Sequence, residues 1–409
     1  MSYFAPGDVQ ISSIILNTNG GSVNLMYLMQ SMSIYENILS PGVNAEVVVL
    51  EDNALVAVLP LLGEETLTVS FNTPSLSGPT YTFHVASIKN LNVTSNLKTR
   101  SYMIECVAQE VLPHKSTLIQ KAYNTNISSM VQDIVSTFLK SSKTVNVEQT
   151  MGVQQYTVQN KKPFVAIKDL VKRSASSTNQ SSTYTFFENQ AGFNFKTIEG
   201  MMGQGPVAVF TNNSVTSDSI YRVIFRNILG YNVPELFNTP HKIGQGAFAS
   251  ITKTFDFKTM SFVNNLTQPA SMKYGGSALN TAGFISQFAQ SAGKSMHIQQ
   301  DSTQPANFIS NFLGNQKAYA ANLDQQKMTM RIFGDSTLKA GDMITVYIMG
   351  SSGITGNQSY DPILSGNWMV SALRHVILTP EAKPQYTQLL ELVSGGLGSA
   401  SAASGVQNA

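Results

Sequence analysis

Apolar and polar residues alternate with a period of two through much of the first hundred positions. Leu67-Thr-Val-Ser-Phe and Tyr81-Thr-Phe-His-Val-Ala-Ser-Ile show it most plainly. Asp8-Val-Gln-Ile-Ser-Ser-Ile-Ile-Leu, Ala45-Glu-Val-Val-Val-Leu-Glu-Asp and Tyr102-Met-Ile-Glu-Cys-Val-Ala read as further strands. Asn, Gly, Pro and Ser clusters separate these β-branched and aromatic runs, the pattern of an antiparallel barrel or sandwich.

The period changes after Pro113. Ile127, Met130, Val131, Ile134, Val135, Phe138 and Leu139 fall at helical spacing, with Asn126 or Ser128 as N-cap. A second helix is expected to open at Pro163, a favourable first-turn residue, and to bury Phe164, Ile167, Leu170 and Val171. Thr183-Tyr-Thr-Phe-Phe-Glu-Asn, a turn at Gln190-Ala-Gly and Phe193-Asn-Phe-Lys-Thr-Ile form a β-hairpin pattern. Residues 113–205 therefore read as an α+β unit, with a boundary in the Gly-rich stretch from Gly200 to Pro206. Strand character resumes over 219–230. Residues 240–320 are mixed, with strands from Ile251 to Phe262 and helix candidates at 282–292 and 306–321. Residues 327–394 are again strand-rich, and the Gly/Ser/Ala tail 395–409 is expected to be flexible.

The two strand-rich blocks echo each other. Gly63-Glu-Glu-Thr-Leu-Thr-Val-Ser-Phe, the Tyr81 strand and the Tyr102 strand follow one another in the first. Gly341-Asp-Met-Ile-Thr-Val-Tyr-Ile, Asn367-Trp-Met-Val-Ser-Ala-Leu and Tyr386-Thr-Gln-Leu-Leu-Glu-Leu-Val follow one another in the last. A duplicated barrel explains this order, and so does the general likeness of strands to one another.

Composition narrows the classes. The 409 residues allow two or three domains at about 150 residues each. Charged residues are 12% of the chain, against roughly 25% in an ordinary soluble domain. The 26 basic and 24 acidic residues nearly cancel, which argues against a nucleic-acid binder. The most apolar stretch, Val47 to Gly63, is broken by Glu51, Asp52 and Asn53 and is too short for the about 20 apolar residues of a membrane span. No signal-peptide pattern opens the chain, and the single Cys106 fits folding in a reducing cytoplasm.

Candidate chemistry is sparse. His84, His114, His241, His297 and His375 are scattered singly, without the spacing of a helical metal site. His375 reads as a structural hydrogen-bonding residue, and Cys106 as a buried thiol on the face of Tyr102 and Ile104. Gly244-Gln-Gly-Ala-Phe-Ala has the outline of a dinucleotide loop but lacks the strand before it and the helix after it. Glu64 and Glu65, adjacent on a strand, point to opposite faces and cannot share an acid–base task. No catalytic residue, cofactor site or metal site is expected.

The order of features resembles the central hub proteins of phage baseplates, the trimeric ring proteins of contractile-tailed phages, which are related to the base of type VI secretion spikes. The resemblance runs through Ile34-Tyr-Glu-Asn-Ile-Leu-Ser-Pro and Leu59-Pro-Leu-Leu-Gly-Glu-Glu-Thr-Leu-Thr-Val-Ser-Phe to the Tyr102 strand. It continues in the helix at 127–139, the Pro-Phe helix at 163–171 and the Tyr184 hairpin. It ends in Leu338-Lys-Ala-Gly-Asp-Met-Ile, Ser365-Gly-Asn-Trp-Met-Val-Ser-Ala-Leu-Arg-His-Val-Ile and the Tyr386 strand. Its motif positions are Tyr35, Glu36, Glu64, Glu65, Tyr102, Gly341, Asp342, Trp368, His375 and Tyr386.

The resemblance implies a β-rich α+β fold with two tail-tube-like antiparallel barrels in one chain. Barrel I would span 1–112, the α+β domain 113–205, and barrel II 206–240 with 321–394, interrupted by a mixed insertion at 241–320. It implies a non-enzymatic virion protein without cofactor, a homotrimer that joins a sixfold tail tube to a threefold spike. Partners would be the tail tube, central spike, baseplate wedge and tape-measure proteins, with DNA only in passage and no membrane insertion. A β-rich adhesin or receptor-binding tail protein is the alternative, and a tail-associated hydrolase a further one.

Overall fold

The computed structural model describes residues 5–52, 63–74, 76–93, 99–179, 181–212, 226–236, 250–256, 260–267, 294–300, 316, 326–350, 360–361, 363–379 and 383–394. The expected helix 282–292, the Gly244 loop and the tail after 395 lie outside these residues, as does nearly all of the expected helix 306–321.

Seven strands form the first part: β1 (Gln10–Thr18), β2 (Gly21–Asn24), β3 (Met29–Asn37), β4 (Asn44–Glu51), β5 (Thr66–Asn72), β6 (Thr80–Val93) and β7 (Arg100–Ala108). The middle part holds α1 (Val111–Ser116), β8 (Ile119–Thr125), α2 (Ile127–Asp133) running into a π-turn at Ile134–Phe138, β9 (Val145–Val147) and β10 (Gln154–Lys161). It continues with α3 (Pro163–Val171), β11 (Tyr184–Asn189), β12 (Gly192–Thr197) and α4 (Ile198–Met202). The last part contains β13 (Ala208–Asn212), β14 (Ile228–Leu236), a small separate sheet of β15 (Ser250–Asp256), β16 (Ser261–Thr267) and β17 (Lys294–Gln300), then β18 (Gln326–Phe333), β19 (Met343–Ile348), β20 (Gly366–Leu378) and β21 (Gln385–Ser394).

Thirteen of these strands make one sheet that curls into two rings with the same wiring. In the first ring the spatial order is β3-β4-β7-β6-β5-β1, with β2 beyond β1. In the second it is β14-β18-β21-β20-β19-β13. Ranked by position in the chain, both rings run second, third, sixth, fifth, fourth, first. The expected echo therefore corresponds to a common strand order. One seam differs: β5 and β1 are antiparallel, whereas β19 and β13 are parallel.

The rings close differently. The second closes on itself through the bridge of Thr211 to Asn227, beside the Thr211 N–H that donates to the Arg226 carbonyl at 3.2 Å. The first is completed by the far end of the chain. Residues 372–378 of β20 pair with β3, Gln385 bridges to Asp8, and the Tyr386 N–H donates to the Gly7 carbonyl at 2.8 Å. A register shift between Val370 and Ala372 lets β20 pass from one ring to the other. The apolar packing follows the same division. Ile377 and Tyr386 join the first core with Leu16, Val47, Phe71 and Ile104, while Trp368, Val370, Leu390 and Leu392 fill the second with Phe210 and Met330.

The middle part packs on both. Its own core forms where α2, α3 and the aromatic face of β11 and β12 meet, burying Met130, Ile134, Ile167, Tyr184, Phe193 and Phe195. Asn126 caps α2 by accepting the Ser129 N–H. Met343, Met369 and Val393 lie in one row across β19, β20 and β21, and Phe187, Ile198, Met201 and Met202 cover that row. Every residue of β19 is buried, on both faces of the sheet.

Gly334 tests the closure. A Cβ there would lie 1.9 Å from Cδ1 of Tyr386, a ring pinned at its far end by His375 and Gln388 and unable to swing aside. Gly334→Ala is expected to cost about 3 kcal/mol in chemical denaturation, at the upper end for overpacking. Gly205→Ala, with nothing within 4 Å of its Cβ, should change stability by no more than about 0.5 kcal/mol.

Candidate functional site

The polar residues of greatest chemical interest lie where the two rings and the middle part meet. The period-two pattern explains how they come to be inside. Glu36 follows Met32 and Ile34 on the inward face of β3, His375 lies between Leu373 and Ile377 on β20, and Gln388 lies between Tyr386 and Leu390 on β21. Tyr81 shares the inward face of β6 with Phe83 and Val85.

These side chains form one hydrogen-bonded chain. The backbone N–H of Asp335 donates to Oε1 of Gln388, and Nε2 of Gln388 donates to the Asp335 carbonyl, both at 2.9 Å. This double contact fixes the amide, so Nε2 also donates to the Tyr386 hydroxyl at 2.9 Å. Tyr386 must then give its own hydrogen to Nδ1 of His375, 2.6 Å away, which leaves the imidazole hydrogen on Nε2. Nε2 faces the Tyr81 oxygen at 3.4 Å, and the Tyr81 hydroxyl donates to Oε1 of Glu36 at 2.8 Å. Phe71 packs edge-on against His375 and Tyr386 and seals the chain with an apolar wall.

Glu36 also reaches outside its ring. Oε1 accepts the Gln190 N–H at 2.7 Å from the β11–β12 turn, and Oε2 accepts the Ala340 N–H at 2.9 Å from the loop before β19. The same turn sends the Gln190 amide to the Thr337 carbonyl and the Asn189 amide to the Ala340 carbonyl, each at 2.9 Å. Glu188 accepts the Val43 N–H at 3.1 Å and the Lys143 ammonium at 2.6 Å, while Lys143 also donates to Glu110 at 2.7 Å.

Burial governs the ionisation of these groups. It raises the Glu36 carboxyl to about 7, against the opposing pull of its three donors. It drives His375 down to about 3, so the imidazole is neutral. Tyr81 and Tyr386 are raised well above the ordinary phenol by burial, with the Glu36 charge adding to it. Burial also raises Glu188 while Lys143 pulls it back. Lys143 itself is raised, because the charges of Glu188 and Glu110 outweigh its own burial.

The remaining motif positions are dispersed. Tyr35 points outward from β3, donating to Glu46 at 2.8 Å beneath the Arg374 guanidinium, and burial raises its hydroxyl. Glu64 is exposed, while Glu65 turns inward to accept the Gly63 N–H at 2.8 Å. Tyr102 is buried on the same strand face as Cys106, its hydroxyl raised to about 12 by burial and the Glu51 charge. Cys106 is fully buried, and its thiol is likewise raised to about 12 by burial. Gly341 takes φ +93°, and a Cβ there would meet Met201 and Phe187 at 3.1 Å. Asp342 accepts the Lys339 N–H at 3.1 Å and its ammonium at 3.0 Å, with its carboxyl raised by burial. Trp368 donates to the Leu364 carbonyl at 3.1 Å inside the second core. Glu36, His375 and Tyr386 are thus brought into one network. Tyr81, Lys143, Glu188, Gln190 and Gln388, which the motifs did not mark, complete it or adjoin it.

Among the described residues, no group of three or more His, Cys, Asp or Glu side chains could hold a metal ion, and no helix is long and apolar enough to cross a membrane. The arrangement can hold chain segments together.

No protein-family model matches the sequence, and no curated protein matches it. The fold has clear relatives among solved structures. It is similar to the tail protein from Neisseria meningitidis MC58, with a TM-score of 0.58 and 9% identity over 94% of this chain and 96% of that one. It is equally similar to the 43 kDa tail protein of prophage MuSo2 from Shewanella oneidensis, with a TM-score of 0.58 and 9% identity over 93% and 98%. The chain has the β-rich fold of these tail proteins, as the order of its motifs implied.

Lys143 offers a direct test of the polar joint. Lys143→Met leaves two buried carboxylates without their cation, and is expected to cost about 3 kcal/mol in urea denaturation at pH 8. Glu188, already raised by burial, then loses the cation that pulls it back and binds its proton more readily in the folded state, so the loss should shrink at pH 5.

Proposed function

We propose that the chain is a structural protein of a phage tail and serves as the central hub of its baseplate. Three copies form a ring that joins a sixfold tail tube to a threefold spike and leaves a channel for DNA. The observation that supports this reading most strongly is the pair of rings with one strand order in a single chain. Three such chains around an axis present six similar barrels, matched to a sixfold tube on one side and to threefold symmetry on the other. The likeness to two tail proteins over nearly their whole length supports the tail assignment.

In this reading the chain is not an enzyme. Its partners are its own copies, the tail tube and central spike proteins, and at the periphery wedge and tape-measure proteins. It assembles in the host cytoplasm and resides in the tail baseplate, with barrel I at 1–112, the α+β domain at 113–205, and barrel II at 206–240 with 321–394. The low charge, 12% of residues, suits broad permanent contacts, because obligate interfaces are depleted of ions that are costly to desolvate.

Native mass spectrometry of the purified full chain, alone and with its spike, is expected to show three copies per complex. A chain that stays monomeric and joins no trimeric spike would sink the ring.

A further inference from the structure

Within one chain the two rings are joined by strand pairing of a definite plan. β20 pairs with β19 over residues 366–369, shifts register against β21 between Val370 and Ala372, and then pairs with β3 over 372–378. β6 holds the same rank in the first ring and follows the same plan. It pairs with β5 over 80–84, shifts register against β7 between Val85 and Ser87, and runs on to Val93. β14 holds the rank of β3. Both shift register near their start, between Met29 and Ser31 against β4 and between Ile228 and Gly230 against β18. The far edges differ. β3 receives β20 there, whereas among the described residues the far edge of β14 has only the bridge from Asn227 to Thr211. Among the described strands, only β7 pairs with β6 beyond Val85.

The matching ladders fix a register. Val85 and Val370 precede the shared shift, opposite Cys106 and Leu392. Counting along β7 and β21 from there makes Asn92 equivalent to Val376 and Val93 to Ile377. Counting across to β4 and β18 makes Asn232 equivalent to Ser33 and Tyr231 to Met32. Within the chain Val376 lies opposite Ser33 and Ile377 opposite Met32, and the joint leaves Ile377 0% and Met32 1% exposed. Their equivalents Val93 and Tyr231 are 47% and 40% exposed. The open positions are therefore those that the internal joint covers. Lys89 is equivalent to Arg374, which lies over the Tyr35 ring across that joint, and the equivalent of Tyr35 is residue 235, a glutamate. Lys89 bonds Glu105 at 2.8 Å and, half-exposed, has further N–H groups to give.

We propose that residues 87–93 of β6 in one copy pair antiparallel with β14 of the next copy, Asn92 opposite Asn232 and Val93 opposite Tyr231. The joint between copies then repeats the joint within the chain. The proposal rests on the ring of copies proposed above and names the strands that close it. Each copy offers one β6 edge and one β14 edge, a head-to-tail contact that forms a ring when its rotation closes. Pairing satisfies backbone groups along both open edges and covers Val93 and Tyr231. A basic residue at 89 opposite an acidic one at 235 favours this register. Pro234 has no N–H to donate and lies in the second register shift of β14, so the ladder is interrupted there.

Directly opposed residues of an antiparallel pair have Cα atoms about 4.5–5.5 Å apart, within reach of a disulfide. Asn92 and Asn232 are both exposed, and the chain's own Cys106 is buried. The full chain carrying both Asn92→Cys and Asn232→Cys, oxidised in its assembled form, is expected to run as covalent dimers and trimers on a denaturing gel. Each single variant should run as a monomer. Three copies by native mass spectrometry without that cross-link overturn the strand pairing and leave the ring standing. A chain that never assembles overturns both. Should the double variant fail to fold, Tyr231→Asp carries the test, since it alters a side chain exposed in the single chain. It is expected to weaken association of the copies about tenfold or more. Association equal to that of the wild-type chain refutes the pairing.

Discussion

The hairpin of β20 and β21 is the constraint on which the rest of the molecule depends. It forms part of the wall of the second ring and fills the gap between β1 and β3 in the first. The first ring is therefore not an independent barrel. The first 112 residues contain six strands in the order of the second ring, yet their outer members do not meet until residues 372–386 arrive. The contact of Gly7 with Tyr386 closes nearly the whole chain on itself, and such closures carry a large loop entropy before any contact repays it. Ring closure of the first part must await the last part, which ties the two rings into one cooperative unit.

The middle part is held at that junction by two kinds of contact with different roles. Phe187, Ile198, Met201 and Met202 lie on the row of Met343, Met369 and Val393 and supply non-directional burial. The turn beside them makes directional bonds from Asn189 and Gln190 to Ala340, Thr337 and Glu36. A flexible methionine surface tolerates small displacements. The buried bonds do not, since each donor or acceptor left unmatched costs about 1–3 kcal/mol. The apolar contact therefore supplies adhesion and the polar contact supplies position.

Much of this was readable from residues. The alternation in Leu67–Phe71 and in the Tyr81 and Tyr102 strands placed β5, β6 and β7, and Pro163 and Asn126 marked the starts of α3 and α2. Cys106 was legible as an interior residue because it continues an apolar face. Other features were hidden. Met29–Asn37 carries Gln, Ser, Glu and Asn between its apolar residues and does not advertise a strand, although β3 is central to the sheet. The opening of the Gly200–Pro206 stretch is helical, continuing α4, because Met201 and Met202 are drawn onto the second ring. Glu36 could be singled out as a motif position, but its donors come from residues 81, 190 and 340, and no local pattern connects them. Periodicity assigns a residue to a face; it does not say what the opposite wall contributes.

The two rings also differ in a way that bears on assembly. They share a strand order, but β1 and β13 run in opposite senses against their neighbours β5 and β19. Reversing one strand changes which side chains point outward and where its backbone groups lie at that seam. Across β4, β5, β6 and β7 and their counterparts the walls are wired alike; at the first strand they are not. In a threefold ring of the proposed kind, surfaces built from the common strands repeat six times, and surfaces built from the reversed seam repeat three times. A mismatch between sixfold and threefold partners is then met within one chain by keeping most of the wall alike and altering one strand.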